Sequence, residues 1–164
     1  MIVYHGASIE VENPDVSFSK EYLDFGKGFY VTTFKQQAEK WARRKAIRQN
    51  GKAFVNVYEL NDDLLSLNVL RFAGEDEQWL DFVCDCRDGK TVNDAYDIII
   101  GNVADDDVFK TVDMYFRGLW SKEQALHELR YSKSNDQICI VKQEVIHTHL
   151  KFIESYQVVN NYES

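Results

Sequence analysis

The order of the strand-like and helix-like segments is the feature that most constrains how this chain can fold. Segments that are β-branched, aromatic or alternating predict strands, whereas helical spacing and capping residues predict helices. Two strands or two helices follow one another in several places, and several strands have mixed faces, which favours an α+β fold over a doubly wound parallel sheet. The predicted strands are 1–4, 28–33, 53–60, 67–72, 96–103, 137–141 and 152–159, and the predicted helices are 33–49, 77–85, 105–116, 121–130 and 143–150.

A single domain covering residues 1–164 is expected from length and composition. The chain is 45 % hydrophobic and 13 % aromatic, which is enough for one buried core. It has one proline, Pro14, and no low-complexity linker or internal repeat that would divide it. Its cysteines, Cys84, Cys86 and Cys139, are odd in number and lack zinc-ligand spacing, so we expect reduced thiols.

Charge and hydropathy limit the partners of the chain. The formal net charge is −8, from 27 acidic and 19 basic residues, and a field of this sign repels phosphate backbones. One predicted helix carries a basic patch that is more typical of a solvated helix face, formed by Lys40, Arg43, Arg44, Lys45 and Arg48. Neither a membrane-spanning run nor a signal-peptide pattern is visible, so we expect a cytoplasmic protein whose macromolecular partner is a protein rather than a nucleic acid.

Capping patterns predict several helix ends. Thr33 with Gln36 is a capping-box pattern, as is Ser121 with Gln124, and Asn50-Gly51 is predicted to end the helix that starts after Thr33.

No metal site is predicted. The acidic residues 105–107 begin a predicted helix, where negative charge stabilises the N-terminal end without a ligand. His147 and His149 are two residues apart, so one helix face does not present both to a metal.

Aromatic residues, glycines and one histidine form the pattern that indicates chemistry. His5 follows a short apolar run, and Gly6 allows another backbone or a ligand to approach closely. Gly26-Lys27-Gly28 opens the strand that holds Tyr30, and Trp41 follows in the next helix. Each residue alone has a structural explanation, but their order and spacing together indicate a cleft for a flat ligand.

These motifs resemble a known family. Tyr4-His5-Gly6 and the segment 25–30 are similar to the first two motifs of the diphtheria-toxin-like and poly(ADP-ribose)-polymerase-like ADP-ribosyltransferases, which use a His-Tyr-Glu set. The whole chain resembles a bacterial family of uncharacterised proteins grouped with those enzymes, through the stretches 24–33, 37–42, 79–83, 96–106 and 135–138. The resemblance implies split mixed and antiparallel sheets with flanking helices, and NAD as substrate without a metal.

The resemblance also implies roles for single residues in NAD binding. His5 would hydrogen-bond a ribose hydroxyl, and the backbone of Gly6 would hold the nicotinamide carboxamide. Tyr30 would stack on the nicotinamide ring, with Trp41 as a second stacking aromatic. Thr32 or Thr33 would supply a hydroxyl near the carboxamide, and Lys27 would approach a phosphate. Gly28 is the remaining residue implied in NAD binding.

The third motif departs from the family pattern. The transferases place a glutamate at the start of a late strand, where it stabilises the cationic sugar of the transition state, but this strand begins with Asp136 and Gln137. The two side chains point to opposite faces of a strand, so only one lines the cleft. We favour Gln137, which can hydrogen-bond a ribose but brings no charge; Asp136 would keep the charge on a shorter arm.

The expected function is therefore an ADP-ribosyltransferase, a glycosyltransferase that moves ADP-ribose from NAD to a macromolecular acceptor and releases nicotinamide. The alternatives are a catalytically weak or inactive module that binds NAD or ADP-ribose, and an NAD glycohydrolase. Resemblance to the bacterial family further suggests an intracellular toxin that is paired with a small antitoxin protein.

Overall fold

The computed structural model describes residues 1–130 and 135–159 as an α+β fold with two sheets and five helices. The strands are β1 (Ile2–Ala7), β2 (Phe29–Val31), β3 (Phe54–Leu60), β4 (Val69–Arg71), β5 (Ile98–Gly101), β6 (Gln137–Ile140) and β7 (Leu150–Gln157). The helices are α1 (Lys35–Gln49), α2 (Glu77–Arg87), α3 (Asp106–Phe116), α4 (Lys122–Leu129) and α5 (Gln143–His149), with short 3₁₀ helices at Val16–Phe18 and Val92–Ala95.

Within residues 1–130 and 135–159, one isolated backbone bridge joins the two sheets. The three-stranded sheet has the order β1-β3-β7 and is antiparallel, whereas the four-stranded sheet has the order β2-β6-β5-β4, with β4 and β5 parallel. Tyr4 of β1 and Thr32, just after β2, exchange two backbone hydrogen bonds of 2.8 and 2.9 Å. β1 and β2 therefore connect the sheets at this bridge.

Three apolar clusters hold these layers together. The first lies between the sheets and includes Val3 and Tyr58 from one sheet with Phe29 from the other. The second packs the opposite face of the four-stranded sheet against α2, α3 and α4, and Trp79 and Ile99 are fully buried in it. The alternation of side chains along each strand explains why neighbouring residues of β2 belong to different clusters.

The third cluster packs α1 on the outer face of the three-stranded sheet. Ala38 and Ala42 are fully buried against Val55 and Val57 of β3. A side chain at Gly6 would place its Cβ 2.7 Å from the backbone nitrogen of Ala42, closer than real contacts allow. The glycine in β1 therefore lets the backbone of α1 approach the sheet.

Several predicted segment ends are confirmed and others are wrong. The Ser121 hydroxyl accepts a hydrogen bond from the Gln124 N–H at 3.1 Å, and Asn50 ends α1 in the left-handed conformation with φ 50°, as predicted. β1 continues through Ala7, so His5 lies inside the strand rather than at its end. The remaining predicted strands and helices are present with ends shifted by a few residues.

The predicted capping box at Thr33 is wrong. α1 begins at Lys35 with Phe34 as its N-cap residue, and no side chain caps it. The Thr33 N–H and hydroxyl both donate to the Asp136 carboxylate, and Thr33 lies one residue before the N-cap position of the helix. A partner 103 residues away thus overrides the local pattern.

The remaining expectations on capping, thiols and spans have mixed outcomes. The Asp105 carboxylate accepts the Val108 N–H at 3.2 Å, so capping is confirmed there, while the side chains of residues 106 and 107 lie outside the described part. Within the described residues all three cysteines are free, and no group of metal-ligating side chains occurs. No described helix is both long and apolar enough to cross a membrane.

Candidate functional site

The two strands that connect the sheets separate just beyond their bridge. Alternate residues of a strand direct their N–H and C=O groups to the same side, so Gly6 shares the direction of Tyr4, and Tyr30 that of Thr32. The peptide groups of Gly6 and Tyr30 do not pair with each other as those of Tyr4 and Thr32 do. The Tyr30 carbonyl accepts a hydrogen bond from His5 Nδ1 at 2.6 Å, and the Gly6 carbonyl accepts one from Lys45 Nζ at 2.8 Å. We call this opening, formed by His5, Gly6, Tyr30 and Lys45, the fork.

His5 is held in one neutral form at the fork. A carbonyl only accepts hydrogen bonds, so Nδ1 carries the proton and Nε2 is left as an acceptor. Burial lowers the pKa of His5 to about 3, and the charge of Lys45 adds to this, while the bond to Tyr30 opposes it. No described residue hydrogen-bonds Nε2, and the ring packs on Phe29 with centroids 4.4 Å apart.

Lys45 places a positive charge inside the fork. Burial, followed by the charges of Lys20 and Arg48, lowers the pKa of Lys45 to about 8. The charge pattern of the sequence predicts that Lys45 lies on a solvated helix face. Lys45 follows Ala42 by three residues and Ala38 by seven, so all three lie on one face of α1. Because the two alanines are buried, this spacing was the signal that Lys45 points inward.

Tyr30 braces the loop that precedes its own strand. Its hydroxyl donates to the Gly26 carbonyl at 2.5 Å and accepts from the Phe25 N–H at 3.1 Å. Burial raises the pKa of Tyr30 well above its ordinary value, with smaller contributions from Cys139 and Asp24, so the phenol stays protonated. The structure joins Tyr30 to His5 through the Tyr30 backbone carbonyl.

The glycines of the second motif accommodate protein atoms. A Cβ at Gly28 would lie 2.8 Å from the Ile140 carbonyl oxygen, and one at Gly26, where φ is +76°, would lie 2.6 Å from the Asn93 amide nitrogen. The absence of side chains at these positions therefore admits β6 and the Val92–Ala95 helix rather than leaving space for a ligand. The exposed Lys27 has its ammonium 3.4 Å from the Glu21 carboxylate.

The Cβ of Trp41 lies beside the fork. Its Cβ lies 3.0 Å from the point where a Cβ on Gly6 would stand, and the residue is half-buried. The helix that packs on Gly6 thus brings this predicted stacking residue next to the first motif.

Asp136 and Thr32 form a cluster on the other side of the bridge. Thr32 is fully buried, and its hydroxyl donates to Asp136 at 2.6 Å and accepts from the Phe34 N–H and the Gln37 amide. Asp136 also accepts from the N–H and hydroxyl of Thr33. The cluster ties the start of β6 to the end of β2, and the Thr32 hydroxyl is already used in it.

Gln137 is enclosed instead of facing an open cleft. It is 4 % exposed, and its amide nitrogen donates to Asp24 at 3.1 Å and to the Asn102 carbonyl at 3.2 Å. Asp24 also accepts two hydrogen bonds from Arg87, at 2.5 and 3.0 Å, and one from the Ala104 N–H. We call these groups the Asp24 network. The expectation that Gln137 lines an open cleft thus does not match its surroundings, because Asp24 and Asn102 occupy its donors.

The Asp24 network was missed in the sequence because Asp24 and Arg87 are 63 residues apart. The one available signal was the position of Asp24 at the start of the stretch that carries the resemblance.

A groove of about 710 Å³ lies elsewhere in the described part of the chain. It is lined by residues of α5, of the segment before β4 and of the segment before β5, among them Ser66, Asp97, Glu144 and His149. None of the predicted site residues lines this groove.

The protein is thus a two-sheet α+β protein with a polar fork at the junction of its sheets. The chain belongs to the family described as protein of unknown function (DUF3990), which matches residues 1–152. No curated protein matches the chain, and no solved structure matches it. The matched range includes both the fork and the Asp24 network.

Proposed function

We propose that the two sheets form an ADP-ribosyltransferase-like split sheet and that the chain binds NAD at the fork and transfers its ADP-ribose to a macromolecule. The observation that carries the proposal is the neutral His5, whose Nδ1 is bonded to Tyr30 while Nε2 is left as an acceptor. This is the form of imidazole that accepts a hydrogen bond from a ribose hydroxyl. The resemblance of the two glycine-containing motifs to the transferases supplies the identity of the ligand.

The geometry of the fork supports binding of a flat amide beside the ribose. The peptide groups of Gly6 and Tyr30 face the opening; their carbonyls already accept from Lys45 and His5, so it is a peptide N–H that would donate to a carboxamide oxygen. Half-buried Trp41 has its Cβ beside Gly6, whereas the Tyr30 ring packs in the second cluster with its hydroxyl on Gly26 and so does not take the predicted stacking position at the fork. Orientation of the ligand by such fixed groups is itself a large part of catalysis.

The proposed reaction needs stabilisation of positive charge on the ribose. The bond between nicotinamide and ribose breaks, nicotinamide leaves with the electron pair, and the acceptor forms a new bond to the same carbon and loses a proton. A carboxylate favours this cationic transition state. Asp136 is the acid of the two candidates, and it contacts Thr32, the residue that pairs with β1.

A second candidate function is an NAD- or ADP-ribose-binding module with little or no turnover. The enclosure of Gln137 favours it, together with the three hydrogen bonds that the Asp136 carboxylate already accepts. Loss of one preorganised electrostatic group commonly lowers a rate by about a hundred- to a thousandfold.

Incubation of the protein with NAD labelled in its adenylate part, in a cell lysate, distinguishes these functions. Label on a macromolecule supports transfer, and free nicotinamide without labelled macromolecule supports a glycohydrolase. A thermal shift with NAD and no product supports the binding module. Absence of both binding and product overturns the proposal.

Two substitutions of His5 separate its structural bond from its proposed ligand bond. In His5→Asn the amide nitrogen stands near the position of Nδ1 and keeps the bond to the Tyr30 carbonyl but removes the Nε2 acceptor. We expect this variant to fold and to bind NAD about tenfold more weakly, as for one lost hydrogen bond. In His5→Gln the longer amide reaches the Nε2 position, so we expect partial recovery of NAD binding.

The control is Arg43→Gln, an exposed residue of the same helix face as Glu39, for which no change is expected. Wild-type affinity of His5→Asn for NAD would contradict the role of His5.

Substitution of the third-motif residues tests which one takes part in turnover. In Asp136→Asn the charge is removed, and we expect turnover to fall at least a hundredfold with NAD affinity nearly unchanged if Asp136 supplies the charge. Loss of turnover only in Gln137→Ala would instead favour Gln137. Thermal unfolding of both variants identifies any loss of fold.

The proposal extends to a toxin that acts in the cytoplasm on a protein acceptor and is neutralised by a small partner protein. This part is supported by the resemblance alone. Expression of the chain in bacteria under an inducible promoter tests it, and we expect growth arrest that His5→Asn relieves. Unimpaired growth with wild-type protein present would contradict toxicity.

A further inference from the structure

The strand β7 leaves one long edge of the three-stranded sheet open. It has eight residues and hydrogen-bonds β3 on one side, and no described strand pairs with its other side. The edge strands of the other sheet, β2 and β4, have three residues each, and β1 is connected to Thr32 by the bridge between the sheets. A long strand edge without a partner presents a row of backbone donors and acceptors that another strand can bind.

Both faces of the sheet are covered near β7. On the outer face the Tyr156 hydroxyl donates to Glu39 of α1 at 3.0 Å, and the Lys35 ammonium lies 5.0 Å from the centroid of the Tyr156 ring. On the inner face Phe152 packs against the first cluster. The side chains of β7 that are exposed belong to Lys151, Ile153, Glu154 and Gln157. The surface left at β7 therefore suits an added strand.

Hydrogen bonds at the two ends of β7 show which of its peptide groups point away from β3. The Val158 N–H donates to the Ala53 carbonyl and the Asn61 N–H donates to the His149 carbonyl, each at 2.8 Å, between residues that continue the register of the two strands. Bonded and non-bonded pairs alternate along an antiparallel ladder, and the bulge at Ile153 shifts this alternation by one residue. The peptide groups that face outward are therefore those of Leu150, Phe152, Ser155 and Gln157.

We propose that β7 pairs in antiparallel orientation with β7 of a second copy of this chain, about a two-fold axis between Ile153 and Glu154. In this register Leu150 faces Gln157 of the second copy and Phe152 faces Ser155, so the outward peptide groups of the two strands meet. The two bulges also lie opposite each other. The three-stranded sheets of the two copies would join into one, and the inference does not depend on the proposed function.

The charges of β7 favour this register. Lys151 lies opposite Glu59 of β3 and Glu154 lies opposite Val57, so both side chains are on the outer face. In the proposed pair, Glu154 of the second copy is a diagonal neighbour of Lys151, within reach of its long side chain. Registers that place Lys151 opposite Lys151, or Glu154 opposite Glu154, bring like charges together. Opposite charges that complement each other about a two-fold axis are what an interface between identical surfaces needs.

Ile153 supplies an apolar contact at the axis. Its side chain is 45 % exposed in the single chain, and in the pair it would lie beside Ile153 of the second copy. A β-branched residue at this position is favoured in a strand that is paired on both sides.

Sedimentation velocity over a range of protein concentrations tests the pairing. We expect a dimer whose fraction rises with concentration. Glu154→Lys places two lysines together across the axis, so we expect it to weaken the dimer by about tenfold. The double variant Lys151→Glu, Glu154→Lys restores opposite charges and should recover most of the affinity. The control Arg71→Glu reverses an exposed charge on β4, the edge strand of the other sheet, and should leave the dimer unchanged.

A second variant tests the backbone pairing itself. Ser155→Pro removes an N–H that points away from β3, and proline is tolerated on an edge strand at such a position. We expect a folded protein that stays monomeric. Ile153→Asp, which changes only an exposed side chain, keeps the test valid if the proline variant fails to fold. Hydrogen exchange of the wild type should show that the Phe152 and Ser155 amides become protected as the concentration rises.

Several results would overturn the pairing of two copies. They are a monomeric wild type at the highest concentration reached, a dimer unaffected by Glu154→Lys and by either Ser155→Pro or Ile153→Asp, and a dimer weakened equally by Arg71→Glu. Exchange of the β7 amides that does not change with concentration would also overturn it. Protection of these amides in a monomeric wild type by added cell lysate would assign the edge to a different protein instead.

Discussion

The fork and the Asp24 network are two buried polar regions that use their hydrogen-bonding groups differently. In the network Asp24 and Arg87 are paired, with side chains 12 % and 16 % exposed, and the second carboxylate oxygen accepts from Gln137 and Ala104. At the fork Lys45 has a carbonyl in place of a carboxylate, and no described residue bonds His5 Nε2. Polar groups that all have protein partners stabilise the fold. Polar groups that keep a free hydrogen-bond acceptor or an unpaired charge are where a ligand is expected.

The loop before β2 links the two regions. Asp24 belongs to the network, and the next two residues, Phe25 and Gly26, bond the Tyr30 hydroxyl. The carbonyl of Tyr30 in turn holds His5. Damage to the network should therefore reach the fork, while changes at the fork should leave the network intact.

The largest effect is expected from Arg87→Leu, which leaves the Asp24 carboxylate buried without its partner. Breaking a buried ion pair in this way costs about 3–5 kcal/mol of the free energy of unfolding. Urea unfolding followed by tryptophan fluorescence measures it. The matched control is Lys90→Gln, which breaks the 2.7 Å pair with Asp85 at the exposed end of α2 and should leave stability unchanged. A loss in Arg87→Leu no greater than in this control would remove the contrast between the regions.

A smaller effect, which depends on pH, is expected from His5. The pKa of His5 is about 3 in the folded protein and near its ordinary 6.5 when unfolded, so the unfolded chain binds a proton first as the pH falls. Each pH unit between these values costs about 1.4 kcal/mol of stability, which amounts to about 2–3 kcal/mol between pH 7 and pH 4.5. His5→Asn does not titrate, so its stability should fall less over this interval. Parallel urea curves at both pH values check this, and equal losses in the two proteins would show that His5 is not held neutral.

Features that depend on neighbouring residues were predictable from the sequence. The strand at Phe54–Leu60 follows from alternation, and α2 and α4 follow from helical spacing and from a Ser121 cap that bonds three residues ahead. The irregular order of these elements was sufficient for the α+β class. His5 and Gly6 could be selected for the site because their motif is contiguous.

Features made by distant partners were not predictable. Thr33 has a capping pattern, but Asp136 takes its donors. Gly6 was predicted to let another backbone or a ligand approach, and only the distant contact with α1 decides for the backbone, because Ala38 and Ala42 pack there. Gln137 could be placed on one of two faces only once Asp24 was known to occupy its amide. In each case the deciding contact joins segments that no local pattern relates.

The smallest effect on stability, and the sharpest contrast with Arg87, is expected from Lys45→Met. This substitution keeps the length of the side chain but removes a cation that has no acidic partner among the described residues. Replacement of a costly buried charge by an apolar side chain is often neutral or stabilising, and because the Gly6 carbonyl loses a bond we expect a change between zero and a gain of about 1 kcal/mol.

The pH dependence of that variant gives the sign of the effect. The folded pKa of Lys45, about 8, lies below its ordinary 10.5, so the cost of the charge is fully present below pH 8 and disappears between pH 8 and 10.5. The stability of the wild type should therefore rise relative to Lys45→Met over that interval, in urea unfolding at pH 7 and pH 9.5. A loss in Lys45→Met as large as in Arg87→Leu would mean that the fork, like the network, is held together by its cation, and the assignment of a ligand site to it would lose its physical basis.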